Sequence, residues 1–534
     1  MTALNRKLLR DLKAAAGMLL AITGIITVGV TCYVGLGSSY HNLSEAKRRY
    51  YAQCRMADFS VELKKVPISE LGAVAELPGV AEIRPRIQFF AAVDLEDVRE
   101  PLNGLVLSLP DRAKPILDDV VVLRGSYFTD RRENEVLISE SFAKAHRITP
   151  GQWIHLILNN RRQEVFVVGT AISSEFVYML GPGAITPDPK HFGVFYLKHT
   201  FAEDVFDFSG AANQILGRLD ASARDRCPEL LRRMESLLAS YGVFTTTPLA
   251  DQFSNRFLSQ EIQGLWSFAL ITPTMFLAVA ALVLNVFLTR LTRQQRTVIG
   301  TLKALGYSDR ELFWHLQKLG VAVGLLGGLL GCALGFWLAG AMSSMYRLFF
   351  QFPEFENQWW LGTHLTGLGI SVGCSVLGSL RGSRAVLRLH PAEAMRPAAP
   401  RQGGAVWLER VAWFWKPLSS GWRMVFRNTL RSRVRTIAGL FAAAMGASVL
   451  VNAWMMADSM TYFLDFQFRH LLRSDMDLSF KDERSDDALL EATAFSLQND
   501  PDATVLGRLR AQVESAAAVL IDGATGGPLR ALAA

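Results

Sequence analysis

Five stretches of this chain are apolar for 20 residues or more and contain no Lys, Arg, Asp or Glu. A helix of about 20 apolar residues is long enough to cross the hydrocarbon core of a bilayer. The predicted spans are residues 14–36, 264–289, 319–345, 361–380 and 436–457. The first span is longer than the apolar core of a cleaved signal peptide, which has about 7–15 residues, so we predict that it is an anchor.

The segment between the first two spans, residues 44–263, is large enough to bury a core of its own. Its apolar positions alternate in some stretches and recur at helical spacing in others. We expect helices at 68–77 and 227–242, strands in 78–85 and 87–95, a strand entering a helix in 134–146, and two strands, 153–158 and 164–172, around a polar turn. The predicted fold is a membrane α-helical bundle with a large extracytoplasmic α+β domain inserted between the first two spans.

Basic residues are concentrated beside particular ends of the spans. Four lie in residues 1–13, six in 290–318 and twelve in 381–435, whereas the loop 346–360 has one. Lys and Arg mark the cytoplasmic side of membrane proteins. We therefore expect the N-terminus and these basic segments inside the cell. The segments expected outside are 44–263, 346–360 and 458–534.

Two helical stalks are predicted to connect the external segment to the membrane. Lys47, Arg48 and Arg49 follow the first span on the predicted outer side, where a helix continuing past the membrane would lift them clear of the bilayer. Before the second span, Phe253, Phe257 and Ile262 recur near one helical side. This spacing predicts a stalk that runs directly into the second span.

Composition agrees with a mixed membrane and water-exposed protein. The 534 residues are 50% hydrophobic and 20% charged, with a mean hydropathy of +0.20. The net charge of +7 comes mostly from residues beside the spans, so nucleic acid is not an expected partner. Five cysteines exclude a disulfide scaffold. Cys54 and Cys227 could pair in an oxidising compartment, although two free thiols are the favoured interpretation.

No catalytic or nucleotide-binding motif is present in the sequence. No Lys is followed by Ser or Thr, which excludes a Walker A phosphate loop. No two histidines are three or four residues apart, and there is no G-x-S-x-G elbow. No metal site or cofactor is expected in this chain. The sequence therefore predicts a protein that is not an enzyme.

Residues 296–312, between the second and third spans, carry the strongest functional pattern. Val298, Ile299, Leu302 and Leu305 fall on one helical face. Gly306 suits a left-handed residue after the helix, and Ser308 with Glu311 predicts a capping box. One interpretation is an interfacial amphipathic helix, and the other is a coupling helix that docks on a cytosolic motor. The candidate coupling residues are Ile299, Gly300, Leu302, Lys303, Ala304, Leu305 and Gly306.

The third span is rich in glycine. Glycines four residues apart remove side chains from one helix face and allow a second helix to approach closely. The predicted packing positions are Gly324, Gly327, Gly328, Gly331 and Gly335.

An internal repeat with an offset of 422 residues is visible in the sequence. Leu4, Leu8, Leu12 and Gly17 correspond to Phe426, Leu430, Val434 and Gly439, each set opening a basic lead into a membrane span. Residues 56–64 also resemble 474–481, so a second external domain is expected to begin there. By this comparison, the later part of the second domain is missing. Three interpretations of the chain remain open: a fragment, a split gene product and a degenerate protein.

Three stretches resemble FtsX-like permeases, the MacB and LolC/LolE type of ABC transporter membrane subunit. RTVIGTLKALGYSDREL, at 296–312, is similar to the family's cytoplasmic loop. Residues 381–397 resemble its exit from the fourth span, and residues 125–173 resemble its external core domain. The similarity covers one unit, about residues 1–400, and the start of a second unit.

This resemblance implies a permease subunit in the bacterial cytoplasmic membrane with a MacB-type periplasmic core domain. ATP would be bound by a separate cytosolic ATPase. The other partners it implies are a second permease copy or paralogue, membrane lipids, and a membrane-fusion protein or lipoprotein. The substrate would be a lipid, lipoprotein, peptide or other hydrophobic molecule. The alternative is a regulatory membrane protein that controls a cell-wall hydrolase or senses antimicrobial peptides.

Overall fold

The computed structural model describes residues 6, 7, 10, 15–95, 98, 102–182, 184, 186–387, 409, 415, 419–431 and 433–466. The chain divides into two compact units, Met1–Met445 and Gly446–Ala534. The described part of the second unit is the end of one helix. The predicted second external domain, beginning at 474–481, lies outside the described residues.

Helices dominate both ends of the described chain. In chain order they are α1 (Ala16–Gln53), α2 (Gly72–Ala75), α3 (Glu140–Ala145), α4 (His199–Phe206), α5 (Cys227–Leu238), α6 (Phe253–Gln294), α7 (Arg296–Ala304), α8 (Asp309–Phe349), α9 (Leu361–Leu387), α10 (Ser420–Arg431) and α11 (Arg433–Phe466). Five of them, α1, α6, α8, α9 and α11, are long and apolar enough to cross a membrane. Each overlaps one of the five predicted spans.

Two of these helices extend well beyond the apolar stretches. The 38 residues of α1 continue from the first predicted span to Gln53, and the 42 residues of α6 begin at Phe253. At a rise of about 1.5 Å per residue, α1 is about 57 Å long, nearly twice the thickness of a bilayer core. Both segments predicted as stalks are therefore continuous with the apolar helices.

The membrane bundle is built around α1. This helix packs against α6 and α8, while α9 packs against α6 and α8. Apolar residues at four-residue spacing along α1 meet apolar residues of the neighbouring helices. The fully buried members are Leu19, Ile22, Ile26, Val30, Val34, Leu277, Ala280, Leu284, Phe287, Leu288, Leu319 and Val323.

Between α1 and α6 the described residues form eleven strands. They are β1 (Phe59–Pro67), β2 (Val80–Arg86), β3 (Gln88–Asp94), β4 (Leu102–Leu109), β5 (Val120–Gly125), β6 (Glu135–Ser139), β7 (Trp153–Leu158), β8 (Arg161–Ser173), β9 (Phe192–Lys198), β10 (Ala211–Leu219) and β11 (Val243–Pro248). One sheet has the order β11-β1-β10-β2 and is antiparallel throughout. The helix α5 packs on this sheet through Leu230, Leu231, Met234 and Leu238.

The second sheet has the order β5-β8-β6-β9-β4-β3-β7, and an additional pairing of β7 with β8 closes six strands into a ring. Pairs β4–β9 and β6–β8 are parallel. Inward-facing residues from all six strands form the core, which Phe142 and Phe206 of the flanking helices complete. Gly104 faces inward, where an added Cβ would lie 2.6 Å from the Phe195 ring. The interior of the ring is therefore packed with side chains.

The predicted strands at β2, β3, β6, β7 and β8 are present, as is the helix that ends before Gly242. The predicted helix at 68–77 is shorter than expected. It consists of a 3₁₀ turn, Ile68–Leu71, followed by α2. Gly79, with φ of +103°, leads directly into β2, which leaves no room for a longer helix.

Candidate functional site

The loop between α6 and α8 contains the predicted amphipathic helix as α7. Gly306 has a φ of +94°, in the left-handed region predicted for it. Ser308 and Glu311 form the predicted capping box at the start of α8. The Lys303 Nζ lies 2.6 Å from the Asp309 Oδ1, which joins the end of α7 to the start of α8. These contacts set the angle between the two helices.

The apolar face predicted for α7 is divided into two parts. Ile299 is buried against Leu312 and Leu316 of α8, and Leu302 packs against the same cluster. Val298 and Leu305 remain 46% and 72% exposed. The expectation that all four residues form one docking face needs correction, because half of that face holds α7 on α8. The surface available to a partner is Val298, Leu305 and the exposed Ala304.

The glycines of α8 lie against two different helices. Gly327, Gly331 and Gly335 face α1, where an added Cβ at Gly331 would lie 2.5 Å from the Val30 Cβ. Gly324 and Gly328 face α9. There, Ser371 Oγ donates a hydrogen bond of 2.7 Å to the Gly324 carbonyl oxygen. The backbone of α8 therefore approaches both neighbours more closely than any side chain would allow.

At the other end of the bundle, the strand domain is joined to the helices by one apolar cluster. We call this the collar cluster. Its buried members are Leu43, Ala46, Tyr50, Cys54, Ile172, Val177, Tyr178, Leu258, Leu265, Tyr346, Phe350 and Phe355. They come from α1 and the residue after it, α6, the end of α8 and the loop after it, and the end of β8 with the segment that follows.

Hydrogen bonds fix the segment after β8 within the collar cluster. The Tyr178 N–H donates to Ser254 Oγ at 3.0 Å, and the Gln351 N–H donates to the Val177 carbonyl at 2.9 Å. The Tyr178 ring stacks on Phe257 with 4.0 Å between centroids. One short segment of the strand domain is thus held by α6 and by the loop after α8.

A buried ion pair links the two sheets beside this segment. Arg86 of β2 donates to both carboxylate oxygens of Glu175 at 2.6 and 2.8 Å, and the side chains are only 2% and 8% exposed. Arg86 also donates to Gln214 Oε1 at 2.6 Å. The Gln252 amide, just before α6, donates to the Glu175 carbonyl at 3.2 Å. The pair therefore ties both sheets to the start of a long helix.

The end of α1 is held by a second buried acid, Asp118. Its Oδ1 accepts the Ala57 N–H at 2.7 Å, and the Asp119 N–H donates to the Cys54 carbonyl at 2.8 Å. Burial, and then the nearby Glu175 carboxylate, raise the pKa of Asp118 well above its usual value. Burial lowers the pKa of Arg84, which donates to the Ser108 carbonyl nearby, to about 10.

Sequence patterns did not reveal these groups. Arg86, Asp118 and Glu175 lie in ordinary strands and turns, and only the pairing of distant segments buries them together. Cys54 and Cys227 are free thiols in different apolar clusters. Burial raises the pKa of Cys54 to about 12.

Among the described residues there is no group of three His, Cys, Asp or Glu side chains that could hold a metal ion. The charged groups that are buried together serve to join structural elements. The described residues combine long apolar helices, the amphipathic helix α7 with exposed apolar residues, and a strand domain packed on the helices through the collar cluster.

Residues 270–390, which include the later part of α6 and all of α7, α8 and α9, match the family described as FtsX-like permease C-terminal. The resemblance to FtsX-like permeases drawn from the sequence is confirmed over this region. Members are noncatalytic membrane subunits of ABC-type transporters. No curated protein sequence matches the chain.

Three solved structures are similar to parts of the chain. The periplasmic region of MacB from Actinobacillus actinomycetemcomitans is 11% identical, covers 40% of this chain and 98% of its own, with a TM-score of 0.25. The extracellular domain of the ABC-type transporter YknZ from Gram-positive bacteria is 13% identical. The match covers 35% of this chain and 100% of that domain, with a TM-score of 0.24. A domain of a permease protein from Porphyromonas gingivalis is 15% identical. The match covers 35% of this chain and 85% of that domain, with a TM-score of 0.21.

Proposed function

We propose that this chain couples ATP hydrolysis by a separate cytosolic ATPase to motion of its strand domain outside the membrane. The observation that carries the proposal is the surface of α7. Val298 and Leu305 are exposed although both are apolar, and Ile299 anchors the helix to α8. An apolar surface on a short, anchored helix is suited to a groove on a partner protein.

Charge supports the proposed orientation. Residues 290–318, which include α7, have six basic residues, whereas residues 346–360 have only Arg347. This asymmetry favours a cytoplasmic α7 and an external strand domain. The N-terminus would then lie inside, and the protein would reside in a bacterial cytoplasmic membrane.

A continuous path for force runs between the proposed ends. Movement of α7 reaches α8 through Ile299, and the glycines of α8 hold α1 in close contact. The helices α1 and α6 continue without a break into the collar cluster. Asp118 and the Arg86–Glu175 pair then fix the ends of these helices to both sheets. Tightly packed elements transmit displacement because their side chains have little free volume.

The proposed substrate is a lipid, lipoprotein, peptide or other hydrophobic molecule that the strand domain exports or extracts on the outer side. The proposed assembly contains a second permease copy or paralogue and the ATPase. A membrane-fusion protein or lipoprotein would receive the substrate.

The test is the substitution Leu305→Asp in the full-length protein. Leu305 is 72% exposed, so the change places a charge on the proposed docking surface without disturbing a core. We expect the protein to insert in membranes as before but to lose the co-purifying ATPase, because a carboxylate in an apolar groove is strongly disfavoured. Leu302→Asp is a poorer test, since Leu302 packs against α8.

The matched control is Leu348→Asp, near the opposite end of α8, where Leu348 is 81% exposed. We expect this variant to retain the ATPase. Retention of the ATPase by Leu305→Asp, or equal loss in both variants, would show that α7 is not the docking element.

A further inference from the structure

A crevice lies among α1, α6 and α9, at the end of the bundle nearest the collar cluster. It has a volume of about 330 Å³. Aromatic rings and small residues line it, among them Tyr33, His41, Trp266, Trp360, Gly362 and Thr366. Ligand pockets in proteins begin at about this size.

The crevice exists because α6 and α9 make close contact only further along. Deeper in the bundle, an added Cβ at Gly378 would lie 2.8 Å from the Ala281 carbonyl oxygen, and the Cys374 thiol donates to the Leu277 carbonyl at 3.0 Å. At the level of Trp266 and Gly362 the space between the helices is open, and α1 forms its floor. All three helices are apolar enough to cross a membrane. In the membrane orientation proposed above, the opening faces lipid.

The aromatic walls are held in place by neighbouring groups. The rings of Tyr40 and Trp266 have centroids 5.0 Å apart, as do those of His41 and Trp360. The Trp360 indole N–H donates to Asn42 Oδ1 at 2.8 Å. Rigid aromatic walls lose little conformational freedom when an apolar chain packs on them.

Two exposed arginines lie beyond the crevice along α1. Tyr33, Gly37, His41 and Glu45 recur every four residues, and Arg48 follows. Arg48 is about 10 Å beyond His41 at the rise of a helix. Arg48 and Arg49 both donate to Glu45, so this group carries one net positive charge. Their side chains are 77% and 62% exposed, which leaves donors open to a further anion.

We propose that the crevice binds one phosphate-headed, two-chain lipid of the surrounding leaflet. One acyl chain lies between α6 and α9 on the floor formed by Tyr33 and Gly37, and the phosphate meets Arg48 and Arg49. Charge complementarity selects this occupant: the apolar part of the site is at membrane depth and the cationic part is just above it. The assignment to the outer leaflet rests on the proposed function.

Photolabelling of the full-length protein tests the site. The probe is phosphatidylglycerol with a diazirine in one acyl chain, incorporated into vesicles of phosphatidylethanolamine and phosphatidylglycerol that contain the protein. After photolysis, peptide mass spectrometry should find label concentrated on residues 33–41, 266–269 and 360–366. Label spread evenly over the lipid-facing helices would overturn the proposal.

The substitution Gly362→Phe fills the crevice. An added Cβ at Gly362 meets nothing within 4 Å, so the new ring can enter without moving the backbone. The matched control is Gly264→Phe on α6, where an added Cβ also meets nothing and which does not line the crevice. We expect Gly362→Phe to remove the excess label and Gly264→Phe to keep it. Unchanged labelling in Gly362→Phe refutes the site.

The headgroup contact is tested by replacing Arg48 and Arg49 with Gln. The preference of the site for the phosphatidylglycerol probe over a diacylglycerol probe, which has no phosphate, should fall about fivefold for each arginine removed. The control Arg347→Gln removes an exposed arginine elsewhere and should leave the preference unchanged. An unchanged preference without Arg48 and Arg49 contradicts the headgroup contact.

Two further readings distinguish this proposal from the preceding one. ATPase co-purification, measured on the same variants, depends on α7 and should be unaffected by Gly362→Phe. If the wild-type protein retains the ATPase but shows no excess label at the crevice, the lipid site alone is overturned. Cross-links from the crevice to a second protein copy would instead show that protein occupies it.

Discussion

Gly331 provides a direct test of how closely the membrane helices pack. In Gly331→Ala, the new Cβ would lie 2.5 Å from the Val30 Cβ and 3.0 Å from the Thr27 carbonyl oxygen. Ordinary contacts begin at 3.4 Å. The helices α1 and α8 would therefore have to separate by about 0.9 Å, the difference between 2.5 and 3.4 Å. Because Gly327 and Gly335 make similar contacts with α1, the separation would disturb the whole interface.

The size of the effect follows from two opposing contributions. Overpacking a well-packed interface costs about 1–3 kcal/mol. Replacing Gly by Ala inside a helix offsets this by at most about 1 kcal/mol. At Gly373, where an added Cβ meets nothing within 4 Å, only the second contribution remains. Gly331→Ala should therefore be less stable than wild type by up to about 2 kcal/mol.

The assay is thermal unfolding of the purified full-length protein in detergent. The comparison variant is Gly373→Ala on α9, where an added Cβ meets nothing within 4 Å. We expect a midpoint lowered by about 2–8 °C for Gly331→Ala and an unchanged or higher midpoint for Gly373→Ala. If Gly331→Ala is as stable as Gly373→Ala, the helices are not in close contact at this glycine.

Two predictions concern the strand domain, and both are read from its unfolding. Arg86→Met should cost about 3–5 kcal/mol, because Glu175 is left as a buried, unpaired charge; Arg112→Met, from an ion pair whose side chains are 84% and 79% exposed, should change stability by less than about 1 kcal/mol. Equal effects of the two substitutions would contradict the assigned role of the buried pair. Because the folded-state pKa of Asp118 is raised, the folded protein retains a proton that the unfolded chain releases, so wild-type stability should fall as pH rises above the usual Asp pKa. Asp118→Asn should lose that part of the pH dependence, and an unchanged slope between pH 5 and 8 would refute it.

Local sequence patterns located the five apolar helices and five of the described strands, but not β1, β4, β5, β9, β10 or β11. Runs without charge gave the positions of the apolar helices, since burying a charge in hydrocarbon is costly. Alternation located β2, β3, β6, β7 and β8, and the cap at Ser308 was visible as residue spacing. These features depend on residues close together in the chain. The family resemblance was likewise carried by contiguous stretches.

Tertiary structure decided which of these residues remain available to a partner. Val298, Ile299, Leu302 and Leu305 share one helical face, but packing on α8 leaves only two of them exposed. Arg86 and Glu175 are 89 residues apart, and nothing local indicates that they pair. The crevice likewise needs three helices from distant parts of the chain. Sequence determined the helices and strands through short-range periodicity, whereas contact between distant segments determined burial, charge pairing and cavities.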